Sequence, residues 1–290
     1  MHIENKKIGY FGEPGSHTEN AAKGFFEQKA NGGFKIDYMS FATITLLLEA
    51  LLKKQIDKAV LPIENSIEGV VTLSIDELIN GSGIKIENEV IVEIRHHLIS
   101  VGSIKEVRKV ISHPQALAQC SKFIQNLHLP LAEDRIIAAI STSAAVKEVA
   151  KRNDPKIAAI GSESALRIYK RDNCELEILA KNIQDEETNK TRFFVLGHEN
   201  NPWTGKDKTS IIFGTEDKCG SLVDVLLVFK VLGINMMQIS SRPSKKKLGE
   251  YIFWVDIDGH REEKTIQVAI GQIAKITTFL KILGSYPKAE

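Results

Sequence analysis

Residues 177–197 read EILAKNIQDEETNKTRFFVLG, two apolar segments on either side of a polar loop. Both segments have the length and residue types of strands. Thr191 stands at the mouth of the second one. Side chains alternate faces along a strand, so Thr191 and Phe193 share one face and Arg192 points to the other. If Thr191 lines a pocket, an aromatic ring sits beside it and the cation does not. By periodicity alone this is a polar loop entering a core strand; any further role depends on what the rest of the chain supplies.

A chain of 290 residues favours two domains, and 43% apolar with 26% charged residues is enough to bury a sizeable core. The formal charge is only +1 and no long basic run occurs, which argues against nucleic acid or an anionic membrane as partner. The N-terminus MHIENKKIGYFG has no signal-type apolar core, and no stretch approaches the roughly 18 apolar residues of a membrane span. A cytoplasmic location is expected. Cys120, Cys174 and Cys219 are scattered without metal-type spacing and read as small buried hydrophobes, so neither a metal nor a cofactor is called for.

Before the opening stretch, strand and helix signals alternate. KKIGYFG reads as a strand, GEPGS as a tight loop, and a helix follows from about His17 to Gln28, with Ser16 and Glu19 in capping-box register. Gly12 and Gly15 allow a ligand close to the backbone at that helix start, but the spacing fits neither a dinucleotide fingerprint nor a Walker loop. A helix over Thr43–Gln55 carries Leu47, Leu51 and Leu52 on one face, and the strand KAVLPI runs into ENSIEGVV. There Glu64 and Glu68 fit an acid/base pair or exposed turn carboxylates equally, while Asn65 and Ser66 donate hydrogen bonds without adding negative charge.

IKIENEVIVEIRHHLISV alternates as extended strands do and suits a connection between two lobes; His96 and His97, on opposite faces, read as structural. Pro114 opens a helix with Leu117, Cys120, Ile124 and Leu127 as its core stripe and the amides of Gln115 and Gln119 on another face. In STSAAVKEVAK, Ser141, Thr142 and Ser143 crowd a helix start whose first turn has no acid, leaving its positive end for an anion. HENNPWTGKD reads as a linker. Beyond it strand and helix signals fall in βαββαβ order, ferredoxin-like, with helices at Gly220–Leu232 and Glu262–Gln272 and a last strand ITTFLKILG. The first part thus reads as a cleft between two α/β lobes that holds a small polyanion through hydrogen-bond donors, which suits an enzyme or a binding-protein-like sensor.

The blocks GEPGSHTENAA, LPIENSIEGVV, VISHPQALAQC, STSAA, AAIGSESA and ILAKNIQDEETNKTRFFVLG, in this order over residues 8–197, resemble prephenate dehydratases. The SHPQALAQC and NKTRF blocks are similar to arogenate dehydratases as well, and the C-terminal part resembles the ACT regulatory domain of the same enzymes through CGSL and SSRPS. The resemblance implies an α/β, two-lobed catalytic domain of the type II periplasmic-binding-protein kind at 1–198, a linker at 199–207 and an ACT domain at 208–290. The implied reaction is decarboxylative dehydration of prephenate to phenylpyruvate, with L-phenylalanine as effector and homo-oligomers, dimer or tetramer, paired through ACT domains. Because matching begins at residue 8, a fused chorismate mutase domain is not expected. The implied catalytic residues are Thr191, which assists departure of the ring hydroxyl, with Asn65 and Gln119. The implied substrate contacts are Gly15, Ser16, Ser66, Ser112, Ser141, Thr142, Ser143 and Phe193. The implied effector contacts are Gly220, Ser221, Leu222, Asn235, Ser241 and Arg242. Ser221 replaces a usual Ala and Ser240 a usual Glu, which leaves effector affinity open.

Overall fold

The computed structural model describes residues 4–29, 34–127, 129, 135–170, 175–245 and 250–289. The chain begins β1 (Glu4–Phe11), α1 (His17–Lys29), β2 (Phe34–Phe41), α2 (Ile44–Leu52), β3 (Lys58–Asn65), β4 (Gly69–Val70), α3 (Thr72–Asn80) and β5 (Lys85–Glu93). On α2 the buried leucines are Leu47, Leu48 and Leu51, whereas Leu52, expected on that stripe, is exposed. The helix is short enough that its apolar arc centres on Leu47 and leaves Leu52 beyond its edge.

After residues 94–96 the chain enters a second sheet: β6 (His97–Ser100), β7 (Lys109–Ser112), α4 (Pro114–Gln119), α5 (Ser121–Asn126), β8 (Ile136–Ala138), α6 (Thr142–Arg152), β9 (Ile157–Gly161), α7 (Glu163–Tyr169) and β10 (Glu177–Ala180). The single helix expected after Pro114 breaks at Cys120, whose φ −118° and ψ 23° are not helical. Asp185 causes the offset: its N–H donates to the Gln119 carbonyl, and its carboxylate caps the new helix through the Ser121 hydroxyl and the Lys122 N–H. Residues 181–189 then carry the chain back to the first sheet as β11 (Lys190–Gly197).

The first sheet runs β2-β1-β3-β11-β5 with β4 on β3, and the second runs β10-β6-β9-β7-β8. Two crossings, at 94–96 and 181–189, join them. The remaining elements are β12 (Asp207–Gly214), α8 (Ser221–Val231), β13 (Met236–Pro243), β14 (Tyr251–Asp258), α9 (Lys264–Ile276) and β15 (Phe279–Pro287), in a third, wholly antiparallel sheet of order β13-β14-β12-β15. The second of these helices was expected to end at Gln272; it continues to Ile276 because Ile266, Ala269 and Ile273 keep one face buried for another turn.

Strand β11 organises the packing. Its odd residues Phe193 and Val195 join Ile8, Tyr10, Val60 and α1 in one core, and its even residues Phe194 and Leu196 join another. That second core is shared with Ile212, Trp254, Leu283 and Tyr286 of the third sheet. Phe194 meets Trp254 and Tyr286 edge-on at 6.0 and 5.7 Å between ring centroids, contacts worth about 0.5–1.5 kcal/mol each beyond the buried area. Gly284 is required at this seam, since a Cβ there would stand 2.2 Å from the Ile86 carbonyl oxygen. Lys281 closes the seam by donating to the last carbonyls of α3, including Leu78 O at 2.7 Å.

Candidate active site

A cavity of about 380 Å³ lies between the first and second sheets, within the usual range for small-molecule sites. Thr191 and Phe193 reach it together from β11, as strand alternation requires, and Asn65, Gln119, Ser16, Ser141, Thr142 and Ser143 also line it. Gln115, singled out with Gln119 for its amide, is there too. Arg192 leaves on the opposite face. It contacts Asp256 at 2.7 Å, Glu64 at 3.3 Å and Glu89 at 3.5 Å, and its guanidinium lies 5.3 Å from the ring centroids of both Phe194 and Trp254. Glu64 is thereby taken up outside the cavity, and the Glu64–Glu68 acid/base pairing does not form there.

Thr191 is oriented by a chain of amides that starts at the backbone. The N–H groups of Ile67 and Glu68 donate to Asn65 Oδ1 at 3.0 and 3.1 Å, so the Asn65 NH₂ group must face the other way. From there Asn65 Nδ2 donates to Thr191 Oγ1 at 2.9 Å and to Asn189 Oδ1 at 2.7 Å. Asn189 Nδ2 donates to Gln119 Oε1 at 3.1 Å, and Gln119 Nε2 reaches Glu68 Oε1 at 3.4 Å. Thr191 therefore accepts on one side, and among the described residues no acceptor takes its own hydroxyl hydrogen. This proton is available to the cavity.

At the facing wall Ser141 caps α6, its Oγ accepting from Ala144 N at 2.9 Å. The first turn of α6 has no acid, as expected, but its positive end is not left open: Glu13, from the loop after β1, accepts from Ser141 Oγ at 3.1 Å. A carboxylate thus arrives from across the cleft, where sequence proximity could not show it. Ser143 Oγ is buried beside it and, among the described residues, has no partner.

Several expected contacts lie elsewhere. Ser112 is fully buried and donates to the Ile160 carbonyl at 2.7 Å, a cross-strand tie between β7 and β9 rather than a cavity ligand. Gly15 does not line the cavity either; at φ +85° its Cβ would fall 2.6 Å from Ala165 Cα, and its carbonyl accepts from Ser162 Oγ at 2.7 Å. It is glycine because two elements meet there. Ser66 braces the loop before β11, accepting from Lys190 N at 2.9 Å. In the third sheet, Gly220, Ser221 and Leu222 share a hollow with Tyr251 and Phe253. Asn235 is instead at the other end of β14, donating to Asp258 at 2.9 Å. Arg242 turns onto α3, contacting Asp76 and Thr72 at 3.3 Å each, and Ser241 is exposed on the edge strand. Cys120 is buried and burial pushes its thiol up to about 12; Cys219 is exposed, contrary to expectation, and Cys174 lies outside the described residues. Among the described residues no cluster of three metal-ligating side chains occurs.

The site also contains residues set aside in the sequence. His96, read as structural, lines the cavity, and His17 packs edge-on against it at 5.8 Å between ring centroids. Two adjacent histidines on opposite strand faces gave no sign that one of them sits at a crossing between sheets. Burial and the neighbouring imidazoles of His96 and His97 push His17 down from an ordinary 6.5 to about 3. Between those values the unfolded chain binds a proton that the folded chain refuses, so stability is complete above about pH 6.5 and declines as pH falls toward 3. A lower Tm at pH 5 than at pH 7.5 is expected, with a shallower slope in His17→Asn; parallel slopes in the two proteins would contradict it.

Fold and site together define an α/β enzyme whose cleft between two sheets is rich in uncharged donors, the positioned Thr191 alcohol among them. The prephenate dehydratase family profile matches residues 8–201. A bifunctional chorismate mutase/prephenate dehydratase of Aquifex aeolicus is 40% identical over 100% of this chain and 76% of its own. A prephenate dehydratase of Methanocaldococcus jannaschii is 38% identical over 98% of each chain. The structure of a prephenate dehydratase from Arthrobacter aurescens in complex with L-Phe superposes with a TM-score of 0.85 at 28% identity, covering 98% of this chain and 90% of that one. The chain belongs to the prephenate dehydratase family and is a dehydratase enzyme.

Proposed function

We propose that the cleft converts prephenate to phenylpyruvate and that the third sheet with its helices is an ACT domain that senses L-phenylalanine. In this reading residues 1–198 form the catalytic domain, with lobes of the type II periplasmic-binding-protein kind, 199–207 the linker and 208–290 the regulatory domain. The observation that supports it is the Asn65–Thr191 hydrogen bond, in which the threonine accepts and keeps its own proton to donate. The ring C–O bond and the bond to the ring carboxylate break together. The carboxylate electrons complete the aromatic ring, CO₂ departs, and the leaving hydroxide takes the Thr191 proton to become water. Solvent returns a proton to Thr191, so the dianion and one proton give the phenylpyruvate anion, CO₂ and water. An alcohol is a weak acid, and aromatisation supplies the driving force that a stronger acid would otherwise provide. A substrate carboxylate at the start of α6 has to displace the Glu13 carboxylate from Ser141, and the buried Ser143 hydroxyl and nearby backbone N–H groups are the donors that receive it.

Regulation follows from β11. Its even face carries Arg192 and Phe194 into the third sheet, so a change of pairing or packing there reaches Thr191 one residue away. Within one chain Asn235 and the Gly220–Leu222 hollow occupy opposite ends of the sheet. Two-fold pairing of the exposed apolar faces of α8 and β13, including Val223, Leu227, Val231, Met237 and Ile239, brings one copy's Asn235 toward the other's hollow. The test is turnover of prephenate and, separately, of arogenate, each with and without phenylalanine. Phenylpyruvate formed from prephenate and suppressed by phenylalanine is expected. Activity without suppression would overturn the regulatory half, and consumption of arogenate alone would overturn the substrate assignment.

A further inference from the structure

The amide chain that orients Thr191 does not end at Gln119. His96 Nε2 lies 3.1 Å from Gln119 Oε1, the same oxygen that accepts from Asn189. Because each amide in the chain is oriented by the one before it, back to the N–H groups of Ile67 and Glu68, that oxygen can only accept. His96 therefore carries its hydrogen on Nε2, and Nδ1 is a bare lone pair. Nδ1 is buried and, among the described residues, has no partner. Burial also holds the His96 imidazole below its ordinary range, so the ring stays neutral around pH 7. An acceptor removed from water and left without a donor is costly, and this one belongs to a residue that lines the cavity.

We infer that His96 Nδ1 is a substrate contact, accepting the hydrogen of the ring hydroxyl that Thr191 protonates. The inference rests on the function proposed above. Prephenate has two carboxylates, a keto group and one alcohol, and only the alcohol can donate. Thr191 donates to the hydroxyl oxygen while that hydroxyl donates to Nδ1, so the leaving group is held from both sides. When the C–O bond breaks, the Thr191 proton makes water, which keeps its other O–H on Nδ1. His96 neither gains nor loses a proton. The edge-on contact with His17 fixes its ring plane.

The two ring nitrogens can be separated by two amides. His96→Gln keeps a donor near the Nε2 position for Gln119 and removes the acceptor at Nδ1; His96→Asn restores an acceptor near Nδ1. The readouts are kcat/KM for prephenate and, because the product has lost the ring hydroxyl, the Kd for phenylpyruvate, with a thermal melt of each variant. His96→Gln is expected to lose about tenfold or more in kcat/KM, with phenylpyruvate affinity within about twofold of the unmodified protein and substantial recovery in His96→Asn. Unchanged kcat/KM in a folded His96→Gln, an equal loss of phenylpyruvate affinity, or no recovery in His96→Asn would each overturn the inference. An unmodified protein that leaves prephenate intact would instead remove the reading beneath it, and that outcome is read before either variant.

Discussion

Thr191→Val is expected to lower kcat for prephenate by about 10²–10⁴-fold while KM changes little. Valine keeps the β-branch that suits β11 and fills the same volume, so only the hydroxyl is lost. Thr191 is buried and its backbone is paired with Asn65 on β3 and Val92 on β5, so the substitution leaves the strand register in place. The loss falls on kcat because the hydroxyl matters most when the leaving oxygen gains charge, whereas the carboxylates dominate ground-state binding. Thr191→Ser, which restores the alcohol, should return most of the rate. Steady-state kinetics of the two variants beside the unmodified protein checks this, and near-normal turnover in Thr191→Val would remove the residue from its role.

The second large effect is on stability. Arg192→Met is expected to destabilise the protein by about 3 kcal/mol, read as a fall in Tm and in the urea midpoint. The side chains of Asp256 and Glu89 are 0% and 1% exposed and both face the guanidinium. Removing it leaves two buried carboxylates short of a cation. The loss stays at the lower end of the range for a broken buried pair because each keeps another partner: Asp256 accepts from Ser210 Oγ at 2.5 Å, and Glu89 pairs with Lys208 at 2.7 Å. Because Arg192 joins β11 to β14 through Asp256 and to β13 through Gln238 Oε1 at 2.5 Å, a folded Arg192→Met should also respond less to phenylalanine. An unchanged Tm would show that the cluster does not hold the seam.

Much of this arrangement could be read in the sequence because it depends on local rules. Strand alternation alone put Thr191 and Phe193 on one face and Arg192 on the other, and proline at Pro114 and the hydroxyl at Ser141 marked true helix starts. What could not be read is what comes from far along the chain. Asp185 breaks a helix that its own apolar stripe would have continued, and Glu13 fills a helix end whose own turn has no acid. Ser112 and Gly15 sit inside blocks typical of the family, yet their side-chain environments are set by Ile160 and Ala165, which only the packed fold brings near. His96 was missed for the same reason. A histidine at the crossing between two sheets carries no periodic signature, and its bare nitrogen becomes visible only when the amides leading to it are oriented one by one.

The measurement that bears most directly on the central claim is the appearance of phenylpyruvate when purified protein is given prephenate at neutral pH, with CO₂ release followed alongside. One phenylpyruvate and one CO₂ per prephenate, at a rate far above the spontaneous reaction, is the expected result. Prephenate left unconverted by protein that melts cooperatively would contradict it.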